Sequence, residues 1–263
     1  METSQTKPLA DASFKTMSDE PVIEINHLRK SFGKQEVLKN ISLKLFNGEN
    51  LVVLGKSGTG KSVLIKCIVC LLNSDSGTIN VFKRNITSLN RKEFGELRQK
   101  IGFLFQSGAL YDSMTVKQNL EFPLRRIKKN LTKKEMEEKI SEVLENVGLA
   151  DALNKMPSQL SGGMRKRISL ARTIVVSPMI MLYDEPTTGL DPVTSDEISS
   201  LINTVQKKYK TSSLIITHDI QCALTTANRL IMIKEGETYK EGKVTDFQNS
   251  TDPFIQSFFI SNE

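Results

Sequence analysis

The chain has 263 residues, a formal net charge of +6, and 38% hydrophobic against 25% charged residues, enough to bury one large core or a core with a subdomain. No apolar run approaches the roughly 18 residues that a membrane span needs, so any membrane role is expected to run through partners. The positive charge is compatible with polyphosphate, nucleic acid or an anionic surface and discriminates poorly among them, and three cysteines do not make a disulfide framework.

Met1 to Glu20 is polar and lacks an apolar signal core, which predicts a short flexible arm (1–20) on a cytosolic chain. Val22-Ile23-Glu24-Ile25-Asn26 and Ile41-Ser42-Leu43-Lys44-Leu45 alternate apolar and polar residues, as strands of an antiparallel layer wet on one side do. Phe32, ahead of a turn at Gly33, fits either a core position or a face that stacks on a base; alone, the core reading is favoured.

Asn50-Leu51-Val52-Val53-Leu54 reads as a buried strand, and it runs into Gly55-Lys56-Ser57-Gly58-Thr59-Gly60-Lys61-Ser62, followed by the helix-compatible Val63-Leu64-Ile65-Lys66-Cys67-Ile68-Val69. Strand, glycine loop and helix are the context a phosphate loop requires. Backbone N–H groups and the helix N-terminus attract the anion, Lys61 is expected to reach the outer phosphates, and the Ser62 hydroxyl to bind Mg²⁺. Cys67 and Cys70 have CxxC spacing on this apolar helix, but no second ligand pair exists, so they are read as packed, reduced thiols.

Ile101-Gly102-Phe103-Leu104-Phe105 predicts a second buried strand ending at Gln106, where open α/β sheets place ligand contacts; an ordinary loop Gln is the alternative. Ser107 to Met114 puts Leu110, Tyr111 and Met114 in a loop, suited to partner docking or to a satellite core. Residues 115–177 read as largely helical. Arg125-Arg126-Ile127-Lys128-Lys129 has no interleaved aromatics and is read as a solvated face, so no nucleic-acid partner is expected. Thr132-Lys133-Lys134-Glu135 is a capping box for a helix through about Asn146, with Gly148 as its stop. Leu160-Ser161-Gly162-Gly163-Met164 opens another helix and a second anion-binding geometry; of Arg165, Lys166 and Arg167, at least one fits a solvated first turn.

Met179-Ile180-Met181-Leu182-Tyr183 predicts a third buried strand, ending in Asp184-Glu185, two acids that need a cation or a protic partner there. Gly189-Leu190-Asp191-Pro192 makes a turn and a helix start, and Asp196 to about Tyr209 a covering helix. Ser213-Leu214-Ile215-Ile216-Thr217 ends in His218; His27 is read as structural or solvated. Leu230 to Lys234 and Glu237 to Lys240 form a closing hairpin turning at Glu235-Gly236. Phe254, Ile255, Phe258 and Phe259 stripe an amphipathic tail (251–263) that seeks cover in its own core or on another subunit.

Taken in order, these motifs resemble the nucleotide-binding subunits of ABC transporters. Gly55 to Ser62 matches the Walker A motif, Gln106 the Q-loop, Leu160 to Met164 the signature, Met179 to Glu185 Walker B, Gly189-Leu190-Asp191 the D-loop, and His218 the switch histidine. Phe32 then matches the A-loop aromatic, which reverses the core preference. The resemblance implies an α/β fold, a RecA-like P-loop core with an antiparallel β layer and an inserted α-helical subdomain near 91–170, within an ATPase domain spanning 21–250. It implies two copies closing head to tail on two ATP molecules, with Ser161, Gly162 and Gly163 of one copy on the γ-phosphate held by the other, and Asp191 beside them. Glu185 is then the base, His218 holds the water and the γ-phosphate, Lys61 absorbs charge, Gln106 senses the metal, and Asp184 with Ser62 holds Mg²⁺. Val63 departs from the hydroxyl of many relatives, and Met164 from the commoner Gln.

The strings Leu-Ser-Gly-Gly-Met-Arg-Lys-Arg (160–167), Leu-Phe-Gln-Ser-Gly-Ala-Leu-Tyr (104–111) and Thr-Thr-Gly-Leu-Asp-Pro (187–192) are similar to the Mla/Mce-type branch that moves lipids between membranes. That branch implies an integral membrane permease, a Mce-type lipid-binding component, and a peripheral position on the cytoplasmic face of the inner membrane. Amino-acid import and lipoprotein release are the transporter alternatives. A soluble ABC ATPase acting on nucleic acid is disfavoured, because this chain has neither paired cassettes nor a long coiled-coil insertion.

Overall fold

The computed structural model describes residues 20–259; apart from Glu20, the expected N-terminal arm lies outside them. In chain order the elements are β1 (Pro21–Phe32), β2 (Gln35–Phe46), β3 (Asn50–Leu54), α1 (Lys61–Ile68), β4 (Ser76–Val81) and β5 (Arg84–Asn85). Then come α2 (Arg91–Arg98), β6 (Ile101–Leu104), α3 (Val116–Ile127), α4 (Lys133–Asn146), α5 (Gly162–Ile174), β7 (Ile180–Asp184) and α6 (Pro192–Tyr209). The chain closes with β8 (Ser212–Thr217), α7 (Ile220–Thr226), β9 (Arg229–Lys234), β10 (Glu237–Gly242), α8 (Val244–Gln248) and α9 (Pro253–Phe259).

The strands follow the order β5-β4-β1-β2-β10-β9-β3-β8-β7-β6. β9, β3, β8, β7 and β6 pair in parallel, and β2, β1, β4 and β5 pair antiparallel. A single parallel bridge, Glu237 to Asn40, joins the two blocks into one sheet. Every residue of β3, β7 and β8 is buried, because these strands carry core on both faces. Leu51 and Val53 face a core shared with β1, β2 and α1, while Val52 and Leu54 face one built with α3 to α7 and α9.

β1 runs well past the expected Val22–Asn26. Its alternation breaks at His27, which takes φ 51° as the register with β2 shifts between Ile25 and Leu28, and the bulge returns Leu28 to the buried face. The His27 backbone N–H donates to Ser42 Oγ at 2.9 Å, and its side chain is exposed. The capping box at Thr132 and Glu135 is formed, and Glu235 and Gly236 turn the last hairpin with φ of 52° and 82°, the mirror-image turn that suits strand twist. β4, β5, α7 and α8 have no counterpart among the predicted elements, and α2 falls at the start of the expected helical subdomain near 91–170. Ile255 and Phe258 of α9 join the chain's own core.

Candidate functional site

The phosphate loop leaves the end of β3 and closes on itself before α1 begins. The Thr59 hydroxyl donates to the Lys56 carbonyl at 2.9 Å, and Gly58 and Gly60 take φ of 82° and 92°, where side chains are strained. The Lys61 ammonium, 5% exposed, donates to the carbonyls of Gly55 at 2.6 Å and Lys56 at 3.0 Å and stands 3.4 Å from Glu185 Oε1. Burial lowers its pKa, opposed by the charges of Glu185 and Asp184.

Three neighbouring parallel strands deliver the remaining groups at their carboxyl ends, the place where such sheets bind ligands. Asp184 closes β7 and accepts a hydrogen bond from Ser62 Oγ at 2.9 Å; burial raises its pKa, opposed by that bond and reinforced by the Glu185 charge. Glu185 is buried with φ 49°, a backbone position that persists only when its surroundings over-determine it. His218 follows β8, and its Nδ1 lies 2.8 Å from Glu185 Oε2, while its backbone N–H donates to the same oxygen at 3.2 Å. With Glu185 ionised, the ring proton on the 2.8 Å contact belongs to Nδ1.

A cleft of about 300 Å³ lies over this cluster, and its lining includes Ser57, Gly58, Gly60, Lys61, Ser62, Val63, Gln106, Glu185 and His218. Val37, which no sequence signal marked, joins them from β2. Phe32 is not part of this lining; it closes β1 and is 47% exposed. Ser161, Gly162, Gly163 and Asp191 also lie outside it. Ser161 caps α5, its Oγ accepting the Met164 N–H at 3.2 Å. Asp191 caps α6, accepting the Thr194 N–H at 3.0 Å and hydroxyl at 2.6 Å. Gly163 meets α6 so closely that a Cβ there would lie 2.6 Å from Thr194 Cγ2. One chain thus assembles two groups of motif residues, a phosphate-loop cleft and an exposed pair of helix starts.

The loop after β6 departs from its expected form. Tyr111 is its exposed apolar residue at 43%, whereas Leu110 packs partly buried on the core and Met114 is half-buried. Beside Tyr111, a groove of about 440 Å³ is lined by Phe103, Phe105, Phe122, Arg172 and Val176. Three cations after the signature also separate: Arg165 is exposed, Arg167 pairs with Glu197 of α6, and Lys166 is buried at 6% exposure, which pushes its ammonium down to about 8. Cys67 is likewise buried, its thiol pushed up to about 11 by desolvation, and all three cysteines are free.

Oxygen ligands from Ser62, Asp184 and Gln106, supplemented by phosphates, suit a hard octahedral cation bound through few protein groups. Among the described residues no cluster of three or more His, Cys, Asp or Glu could hold a metal by itself.

A phosphate loop opening a helix beneath a parallel sheet, with paired acids at the end of a strand two places along that sheet, defines a P-loop nucleoside triphosphatase. The chain belongs to the ABC transporter family, whose sequence profile matches residues 38–188. It is 38% identical over 229 residues to the methionine import ATP-binding protein MetN 2 of Bacillus cereus, covering 86% of this chain and 67% of that one. It is 37% identical over 254 residues to the chloroplastic protein TRIGALACTOSYLDIACYLGLYCEROL 3 of Arabidopsis thaliana, covering 90% and 73% respectively. Among solved structures it is similar to the dimeric bacterial ABC transporter cassette MJ0796, with a TM-score of 0.77 and 31% identity over 84% of this chain and 98% of that one. A post-hydrolysis dimer of the same cassette, bound to ADP and Pi, matches at 30% identity and the same TM-score of 0.77, with the same coverage of 84% and 98%. The chain is an ABC ATPase, binding and hydrolysing ATP.

Proposed function

We propose that this ATPase is the motor subunit of a membrane transporter of the Mla/Mce type, driving a permease that moves phospholipids between membranes. The observation that carries the motor assignment is the Lys61, Ser62, Asp184, Glu185 and His218 cluster, where a base, a cation and an orienting histidine meet at one phosphate loop. The Glu185 carboxylate accepts the proton of the attacking water, and His218, held by that carboxylate, orients the water against the γ-phosphate. Lys61 neutralises charge on the outer phosphates, and the N–H groups of Lys56 to Ser62 cradle them. Ser62, Asp184 and Gln106 hold Mg²⁺, which supplies charge neutralisation to the phosphates when bound. Phe32 stacks on the base, a contact worth about 1–3 kcal/mol.

Two copies pair head to tail, so that Ser161, Gly162 and Gly163 of one, with Asp191, face the γ-phosphate held by the other. The dimeric structure of the related cassette supports a pair of copies. Among the described residues no helix is long and apolar enough to cross a membrane, which fits a peripheral subunit at the cytoplasmic face of the inner membrane. The groove lined by Phe103, Phe105, Tyr111, Phe122 and Arg172 is the permease-docking surface, since aromatic and Arg side chains are the ones enriched at interfaces.

Lipid cargo is supported by the signature string through Arg167 and by the plant relative whose name is that of a galactolipid. Amino-acid import is the second reading, favoured by the methionine import relative. Two experiments test these proposals. Glu185→Gln abolishes turnover while ATP binding persists and the closed pair accumulates; near-normal turnover removes the base assignment. The complex purified from native membranes in mild detergent is then titrated with phospholipid and with methionine: stimulation of ATPase by methionine alone transfers the chain to the import branch, and a co-purified Mce-type component supports the lipid branch.

A further inference from the structure

Helix α5 reaches the phosphate-loop cleft through side chains to which the chemistry above assigns nothing. The Lys166 ammonium donates to the Gln106 carbonyl at 2.7 Å and to the Glu185 carbonyl at 3.4 Å. Farther along the same helix, Arg172 donates to the Ala109 carbonyl at 2.7 Å and the Gly108 carbonyl at 3.4 Å. Between the two, Ser169 lies so close to Gly108 that a Cβ there would stand 2.5 Å from the Ser169 hydroxyl. Lys166, Ser169 and Arg172 are spaced to share one face of a helix, and that face grips the main chain from Gln106 to Ala109.

Lys166 differs from Arg172 in also holding the end of β7. Glu185 needs an over-determined backbone at φ 49°, and its peptide has an anchor on each side. Its N–H donates to the Ile216 carbonyl at 2.9 Å, and its carbonyl accepts from Lys166. A buried ammonium is costly unless acceptors surround it, and here those acceptors are the main chains of two residues whose side chains line the cleft.

We propose that Lys166 is a positioning residue of the ATPase reaction: by bridging the Gln106 and Glu185 carbonyls from α5, it fixes both side chains relative to each other and ties them to the helix that begins at Ser161. The proposal rests on the roles given to Gln106 and Glu185 above. It predicts an effect on turnover rather than on nucleotide affinity, since Lys166 bonds to the main chain at the edge of the cleft and the phosphate loop is held by other groups.

The test compares Lys166→Met, which keeps the apolar stem and removes the donors, with Lys166→Gln, which keeps two N–H donors without the charge. Both are made in the full chain, assembled with its permease. Lys166→Met lowers kcat about tenfold or more, the scale of one lost buried hydrogen bond, with the equilibrium Kd for ATP within about twofold of wild type. Lys166→Gln recovers part of that loss. A wild-type kcat in Lys166→Met overturns the proposal, as does a fall in kcat and ATP affinity together that Lys166→Gln does not relieve. If Lys166→Met and Lys166→Leu both fail to fold, the residue is structural and the proposal falls. Glu185→Gln assayed alongside separates the two levels: an active Glu185→Gln removes the site assignment itself, whereas an inactive one beside a normal Lys166→Met removes the positioning role alone.

Discussion

Gly60 is the N-cap of α1 with φ 92° and ψ 4°, and a Cβ there would lie 2.7 Å from Leu38 Cδ2 and 3.0 Å from Val37. Two costs therefore meet at one residue: left-handed backbone, about 1–3 kcal/mol for a side chain, and a collision with the strand that lines the cleft. Gly60→Ala should lower the melting temperature by about 2–4 °C for each kcal/mol lost and weaken ATP binding, because the loop relaxes away from its N–H-inward form. Calorimetry with and without ATP measures both, and a variant that melts and binds like the wild type contradicts this account of the loop. Lys166 shows the opposite limit of what one residue reveals. Its burial depends on the carbonyls of Gln106 and Glu185 that face it, sixty and nineteen positions away in sequence, and nothing in Met-Arg-Lys-Arg distinguishes it from its solvated neighbours. Val37 escaped for the same reason: it enters the cleft only because β2 lies beside the phosphate loop.

At the scale of elements, legibility followed the number of buried faces. β3, β7 and β8 are buried on both faces and appear as continuous apolar runs, so their carboxyl ends, and with them Lys61, Asp184, Glu185 and His218, were readable. β4 exposes Ser76, Gly77 and Thr78 and β5 is two residues long, too little pattern to register. α9 was legible as a stripe, but its anchor was not. Asp252 Oδ1 accepts the N–H of Phe254 at 2.8 Å, and Oδ2 accepts the Tyr239 hydroxyl at 2.5 Å, while Phe254 packs edge-on against Tyr239 at 5.3 Å. The Tyr239 hydroxyl bond holds the Asp252 carboxyl below its ordinary value. A carboxylate lowered on folding contributes stability above its unfolded pKa and loses it as pH falls through the folded value, so the Asp252 contribution to holding α9 is present at neutral pH and is lost in acid. Asp252→Ala should reproduce the acid effect at pH 7. Amides of 254–259 would then exchange faster by about tenfold or more, while β8 stays protected; unchanged protection of α9 would show that Ile255 and Phe258 hold the helix without the cap.

For the whole molecule, the arrangement of the two motif groups decides how the ATPase works. The phosphate loop, the paired acids and His218 meet at the ends of adjacent strands, whereas Ser161, Gly162, Gly163 and Asp191 form an exposed surface where α5 meets α6. On the proposed head-to-tail pairing, each ATP is enclosed by the first group of one copy and the second group of the other. This geometry makes a prediction that no single-chain site shares. Lys61→Ala and Ser161→Arg are each inactive as homodimers, because every site then carries one damaged half. In a mixed pair, one site collects both defects and the other collects neither: the Ser161→Arg chain supplies an intact Lys61, and the Lys61→Ala chain an intact Ser161. Random pairing makes about half the dimers mixed, each with one sound site of two, so the mixture should recover up to about a quarter of wild-type ATPase activity. A chain carrying both substitutions, mixed with an equal amount of wild type, leaves every mixed pair without a sound site, so about a quarter of full activity remains, from wild-type pairs alone, where sites complete within one chain would keep about half. No recovery in the first mixture, with about half of full activity kept in the second, would place Ser161 and Lys61 in the same site of one chain and exclude the composite arrangement.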